Sequence, residues 1–127
     1  MVILQDFNES LQILNTILII DNDVVSECKV CIDRNTKLWN IIYWHTKKEY
    51  IHKGYGKLVL SKSLKGLKEK FGKPIRIEYI WNGVNYYVYE WLNKNFSPIC
   101  THIYGTGEIQ MKSYSLDIDS VVEFFGI

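Results

Sequence analysis

Two glycines two positions apart, Gly54 and Gly56, stand between a strand-like run, Leu38–His45, and a lysine-rich helical run that ends at Phe71. That junction restricts the chain more than any other segment. A strand, a tight glycine turn and a helix start leave a row of backbone N–H groups without intrahelical partners. The positive end of the helix dipole reinforces them, and phosphate oxygens suit such a row. Glycine matters there because a Cβ would hold a ligand's phosphates away from the backbone.

The elements around the junction follow from periodicity. Leu60, Leu64, Leu67 and Phe71 recur at steps of four, three and four, which places them on one face of a helix over Gly56–Phe71. Gly72-Lys73-Pro74 stops that helix. Ile75–Trp81 then reads as a strand with Ile75, Ile77 and Tyr79 on one side, broken by Asn82-Gly83. Val84–Asn95 reads as a helix, and Ile99–Tyr104 with Glu108–Leu116 as a hairpin around Gly105 and Gly107. Upstream, Phe7, Leu11 and Leu14 fit a helical stripe while Ile17–Ile20 is β-like, so Asp6–Ile20 is expected to be a short helix running into a strand. Asp21-Asn22-Asp23 is a turn, Val24–Ile32 a strand, and Asp33–Thr36 another turn before Leu38–His45. Helices separate strands only in the second half. The expected fold class is therefore α+β, with a mixed, mostly antiparallel sheet of six to seven strands flanked by helices.

At 127 residues the chain suits a single domain over 1–127, and its 47% hydrophobic and 23% charged residues argue against disorder. The longest apolar run, Ile17–Ile20, is far too short to span a bilayer, and no basic, then apolar, leader opens the chain. Cys28, Cys31 and Cys100 cannot all pair with one another, which points to a reducing cytoplasm. Cys28 and Cys31 form C-x-x-C, but inside an apparent strand residues three apart face opposite ways, so no metal site is expected.

Charge is segregated. Residues 1–46 carry three basic and six acidic side chains (−3), residues 47–76 ten and two (+8), and residues 77–127 two and six (−4). A solvated helix face accounts for the lysines, and so does an anionic ligand at the glycine turn that heads them. Nucleic acid is a weaker match, because the flanking acidic thirds argue against an extended basic groove.

The order of elements, with the glycine turn before the first long helix, resembles the GNAT superfamily of acyl-coenzyme A-dependent N-acetyltransferases. The family signature is Arg/Gln-x-x-Gly-x-Gly/Ala, and Ile51-His52-Lys53-Gly54-Tyr55-Gly56 occupies its place, with Ile51 in the Arg/Gln position. The Lys-Gly-Tyr-Gly tetrad is similar to the histone-acetyltransferase branch. Downstream, Asn85 and an aromatic-rich helix ending at Phe96 resemble the family's second motif, with Asn95 replacing its glycine and a spacing one residue shorter.

The resemblance implies acetyl-CoA as co-substrate and a primary amine, on a small molecule or a protein, as acceptor. Backbone N–H groups from His52, Lys53, Gly54, Tyr55, Gly56 and Lys57 would hold its pyrophosphate, with Lys53 and Lys57 adding charge. The pantetheine arm would lie between the parting ends of Leu38–Thr46 and Ile75–Trp81, and Asn85 would contact the cofactor. Backbone N–H near Tyr43, Trp44 and His45 would stabilise the oxyanion. Asn40 stands where the histone-acetyltransferase branch carries its catalytic glutamate, which leaves His45 and Glu78 as candidate bases and Tyr89, then Tyr86, as candidate acids. A fold that binds CoA or a protein without turnover is the alternative. Either version involves no membrane and is compatible with a homodimer.

Overall fold

In a computed structural model, residues 1–81, 86–105 and 111–126 are described, with the side chains of Trp81, Tyr86, Tyr87 and Tyr89 left aside. Strands β1 (Val2–Asn8), β2 (Ile13–Ile20), β3 (Asp23–Asp33) and β4 (Leu38–Thr46) form an antiparallel meander. Helix α1 (Tyr55–Phe71) crosses over to β5 (Arg76–Trp81), which lies parallel to β4. Then come α2 (Tyr86–Asn95), β6 (Ile99–Tyr104), β7 (Met111–Leu116) and α3 (Ile118–Phe125). The seven strands make one sheet in the order β1-β2-β3-β4-β5-β7-β6, and β4–β5 is its parallel pair. This is the mixed, mostly antiparallel α+β architecture expected from the element order.

Three expectations need correction. No helix precedes β2: residues 2–8 are a strand pairing with 13–20, and the Phe7, Leu11, Leu14 spacing is coincidental. Phe7 packs on Phe71 with ring centroids 5.2 Å apart, Leu14 is buried, and Leu11 sits 63% exposed in the intervening turn. Ile75 does not join the face of Ile77 and Tyr79. It lies just before β5 and is 67% exposed, its N–H donating to the Lys37 carbonyl at 2.8 Å. The expected order of elements ends with the hairpin, whereas the chain continues into α3. Asp117 caps that helix, its carboxylate accepting the Ser120 N–H at 3.1 Å, and Gly126 closes it at φ 67°.

The turns obey local chemistry. Asp21 and Asn22 both take positive φ, 51° and 63°, as a two-residue hairpin requires. The Asp33 carboxylate accepts the N–H groups of Asn35 (2.9 Å) and Thr36 (3.2 Å), which hold its carboxyl below the usual range.

The core lies on one side of the sheet. Leu14, Thr16 and Leu18 of β2, Cys28, Val30 and Ile32 of β3, Trp39, Ile41 and Trp44 of β4, and Ile77 and Tyr79 of β5 are buried toward the helices. Helix α1 contributes Val59, Leu60, Leu64 and Leu67, and α2 adds Val88 and Leu92. One polar seam crosses this interface: Ser63 Oγ donates to the Val59 carbonyl (2.7 Å) and lies 2.8 Å from the Thr16 hydroxyl, whose Oγ1 accepts from Gln5 Nε2 (3.0 Å). The opposite face carries Ile13, Asn15 and Ile17, all half-buried, and the exposed Tyr43, His45 and Ile80. Among the described residues no helix covers it.

Candidate functional site

The upper end of β4 is irregular in a way that opens the sheet. On its β3 side the register shifts, Lys29 pairing with Tyr43 and Val30 with Ile41, so Ile42 is an extra, bulged residue. The bulge leaves Ile42 and Tyr43 exposed in succession, and burial resumes at Trp44. On the other side, the ladder with β5 ends at Ile41–Tyr79 although β4 continues to Thr46 and β5 to Trp81. The two parallel strands part at that point. The cleft begins one residue above the row in which Asn40 lies beside Glu78.

Beyond Thr46 the chain makes a single 3-10 turn, Lys48–Tyr50, and enters α1 through the glycine turn. Gly54 is the residue before α1 and has φ 81°, a left-handed conformation in which side chains are strained. A Cβ there would meet no atom within 4 Å, so the backbone faces open space. The first helical hydrogen bond runs from Leu58 N–H to the Gly54 carbonyl at 3.0 Å. No side chain caps this end, and its first turn holds no acidic residue. The start of α1 therefore presents backbone N–H groups and the positive end of the dipole next to the cleft.

Gly56 has a different duty from Gly54. A Cβ on Gly56 would come within 3.2 Å of Thr46 Oγ1 and 3.6 Å of Trp44 Nε1. Those atoms are themselves committed: Thr46 Oγ1 lies 2.8 Å from Ser26 Oγ, and Trp44 Nε1 donates to the Gly56 carbonyl at 2.9 Å. Gly56 lets the first turn of α1 lie against the end of β4. The sequence shows two equivalent-looking glycines, and only the fold distinguishes them.

Trp44 is a pillar of the site. Its ring sits edge-on to Trp91 of α2 at 5.2 Å and to Tyr79 of β5 at 6.3 Å. Trp91 in turn contacts Phe96 at 5.5 Å and Phe124 of α3 at 5.5 Å. This aromatic cluster ties α1, α2 and α3 around the cleft, and periodicity did not reveal it because its members come from four separate elements. The signal for α3 was nonetheless present in the Asp117 cap and the apolar pair Phe124-Phe125.

The other expected site residues divide clearly. Lys57 Nζ sits over the Phe124 ring at 4.3 Å and Lys53 Nζ over Tyr50 at 5.6 Å, so both cations lean on aromatic faces near the turn. Tyr55 packs on Tyr50 at 6.2 Å, and His52 is exposed with φ 64°. Tyr43 and His45 both stand on the uncovered face, with ring centroids 6.3 Å apart, and Lys29 Nζ lies 5.5 Å from the Tyr43 ring. Glu78 shares that face but is held by Arg76, Nε to Oε1 at 3.0 Å. His45 is five residues beyond Asn40, the neighbour of Glu78, or about 15 Å along the strand. The two candidate bases are thus not brought together. Asn85 and the Tyr89 side chain lie outside the described residues.

The thiols separate as expected for a strand. Cys28 is buried and Cys31 half-buried, its Sγ 3.8 Å from the Leu11 carbonyl. Burial pushes the Cys28 thiol up to about 12, and a hydrogen bond with Ser63 only partly opposes it. Among the described residues no cluster of three His, Cys, Asp or Glu side chains is placed to hold a metal, and no helix is long and apolar enough to cross a membrane.

No protein-family model and no curated protein matches the sequence. Solved structures do match the fold. An acetyltransferase of the GNAT family from Elizabethkingia anophelis, with acetyl-CoA bound, aligns at a TM-score of 0.60 and 9% identity, over 84% of this chain and 76% of that one. This is a GNAT fold. The PaiA N-acetyltransferase of Thermoplasma acidophilum, in complex with coenzyme A, aligns at 0.63 with 19% identity, over 82% of this chain and 61% of its own. The ribosomal-protein-S18-alanine N-acetyltransferase of Escherichia coli aligns at 0.66 with 13% identity, over 84% and 70%. The chain thus spans less than two thirds of PaiA. In GNAT terms the parted β4–β5 ends and the Gly54 turn occupy one end of the sheet.

Proposed function

We propose that this chain is an N-acetyltransferase that uses acetyl-CoA and passes the acetyl group to a primary amine. The observation that carries the reading is the pairing of two features at one end of a GNAT fold. An uncapped, carboxylate-free helix start behind Gly54 stands next to a cleft opened between two parallel strands. Backbone N–H groups from His52 to Lys57 would hold the pyrophosphate, and the pantetheine would enter between β4 and β5. The thioester carbonyl would meet the backbone near Tyr43, Trp44 and His45. The amine nitrogen would attack the carbonyl carbon, and the C–S bond would break as the tetrahedral intermediate collapses, with the thiolate taking a proton. The amine would approach from the uncovered face, which bears His45 and Glu78 as candidate bases. Tyr89 and Asn85 complete the assignment, as candidate acid and cofactor contact.

Calorimetry with acetyl-CoA tests the binding step. Gly54→Glu would set a carboxylate against the helix dipole at a left-handed position, and affinity should fall by more than about tenfold. Equal affinity in the wild type and this variant would remove the assigned pyrophosphate site. Release of free thiol from acetyl-CoA with a panel of amines tests the chemistry.

One observation favours a second reading, a module that binds CoA without turnover. Glu78 is already engaged by Arg76 at 3.0 Å, and Asn40 beside it cannot accept a proton at neutral pH. Saturable binding with no thiol release for any amine would select that reading.

A further inference from the structure

Helix α3 reaches the glycine-turn end of α1 through one side chain. Phe124 is held by three rings: Trp91 at 5.5 Å and 81°, Phe125 at 5.1 Å and 87°, and Phe96 at 5.1 Å and 60°. Val121, one turn earlier on the same helix, is fully buried. Steeply inclined ring contacts on three sides fix the plane of Phe124, so its face is presented in one direction. Lys57 Nζ lies over that ring, 4.3 Å from the centroid.

Lys57 is the third residue of α1, inside the uncapped first turn that follows Gly54. One other described lysine lies as close to a ring, and its setting differs. Lys70 Nζ is 4.3 Å from the Phe7 centroid, but it also pairs with the Glu9 carboxylate at 3.3 Å. Among the described residues no carboxylate lies within ion-pair distance of Lys57. A ring face occupies one side of an ammonium and leaves its remaining donors and its charge for an anion.

The contacts also close into a circuit. The Gly56 carbonyl accepts from Trp44 Nε1 at 2.9 Å, Trp44 meets Trp91 at 5.2 Å, Trp91 meets Phe124, and Phe124 carries Lys57, the residue after Gly56. Helix α3 is thereby registered against the same turn whose backbone N–H groups stand beside the cleft. A lysine side chain gives up rotamer freedom when it binds an anion, and a neighbour that already holds it lowers that cost.

We propose that Phe124 is a positioning residue for acetyl-CoA: its ring holds the Lys57 ammonium at the first turn of α1, ready to meet the diphosphate, and makes α3 part of the cofactor site. The inference rests on the acetyl-CoA reading above and adds to it a residue far from the glycine turn in the chain. The ring touches no reacting atom and acts through Lys57.

Calorimetry with coenzyme A on the wild type and its variants tests this. Phe124→Leu keeps an apolar side chain against Trp91 but removes the π face, and affinity should fall about three- to tenfold. Phe124→Tyr restores the face and should bind within about twofold of the wild type. Lys57→Met should weaken binding at least as much as Phe124→Leu, and combining the two should cost nothing further, because the ring acts through the ammonium. A purely structural role predicts instead the same loss on either background. Unchanged affinity in Phe124→Leu overturns the proposal, as does an additive double variant or a tyrosine variant as weak as the leucine one. A wild type that ignores coenzyme A removes the acetyl-CoA reading and this inference together, whereas a binding wild type with an indifferent Phe124→Leu removes only the inference. Should the leucine variant fail to fold, NMR of the wild type with coenzyme A decides. Lys57 Cε protons shifted upfield by the ring support the proposal, and protons at the position of a solvated lysine sink it.

Discussion

At the scale of single residues, the two glycines of one motif do different work. Gly54 supplies a left-handed φ beside open space, whereas Gly56 supplies the absence of a Cβ against Thr46 and Trp44. Gly56→Ala should therefore lower stability by about 1 kcal/mol, since Thr46 Oγ1, 3.2 Å from the new Cβ, has to shift from its 2.8 Å contact with Ser26 Oγ, and urea unfolding will measure it. The buried Cys28 makes a second prediction. Its thiol, raised to about 12 chiefly by burial, keeps its proton in the folded chain while the unfolded chain gives it up around the ordinary thiol value of 9.0. Tyr79, also pushed up to about 12 by burial, behaves alike from 10.0. The stability tied to these groups is complete below pH 9 and is lost as pH rises toward 12. Denaturant melts at pH 8 and above 10 should show the fall, and Cys28→Ala should make it shallower. Both the Gly-x-Gly spacing and the C-x-x-C were visible in the sequence. What each residue touches was not, because the contacts come from β4, α1 and β3 at once.

At the scale of elements, strong periodicity was legible and short elements were not. Helix α1 emerged from its leucine spacing because one 17-residue helix has to bury a single continuous stripe. The N-terminal hairpin is hidden in the sequence, because Phe7, Leu11 and Leu14 satisfy a helical spacing that tertiary pairing overrules. Helix α3 was missed although its cap was present, and that cap can be tested. Asp117→Ala removes the acceptor for the Ser120 N–H, and about 1 kcal/mol of stability should go with it. The same substitution should loosen Phe124 from Trp91 and Lys57, which tryptophan fluorescence will report as a red shift.

At the scale of the whole molecule, the sheet has a covered and an uncovered face, and neighbouring residues of one strand should reveal it. Leu18 is fully buried toward α1, whereas Ile17 is half-buried on the other side. Leu18→Ala should cost about 2–5 kcal/mol and Ile17→Ala less than half of that, measured by chemical denaturation. A protein with helices packed on both faces would lose similar amounts at the two positions. The strand–glycine turn–helix junction, the charged helix that follows it and the mixed order of elements are all readable from residue order alone. Each is written in local spacing and local backbone chemistry. The bulge of β4 at Ile42, the end of its ladder with β5 at Ile41–Tyr79, and the convergence of Trp44, Trp91 and Phe124 belong to the folded chain. Bulges, ladder ends and aromatic clusters arise from pairing between segments far apart in the chain, and the local pattern of any one segment carries no record of its partner.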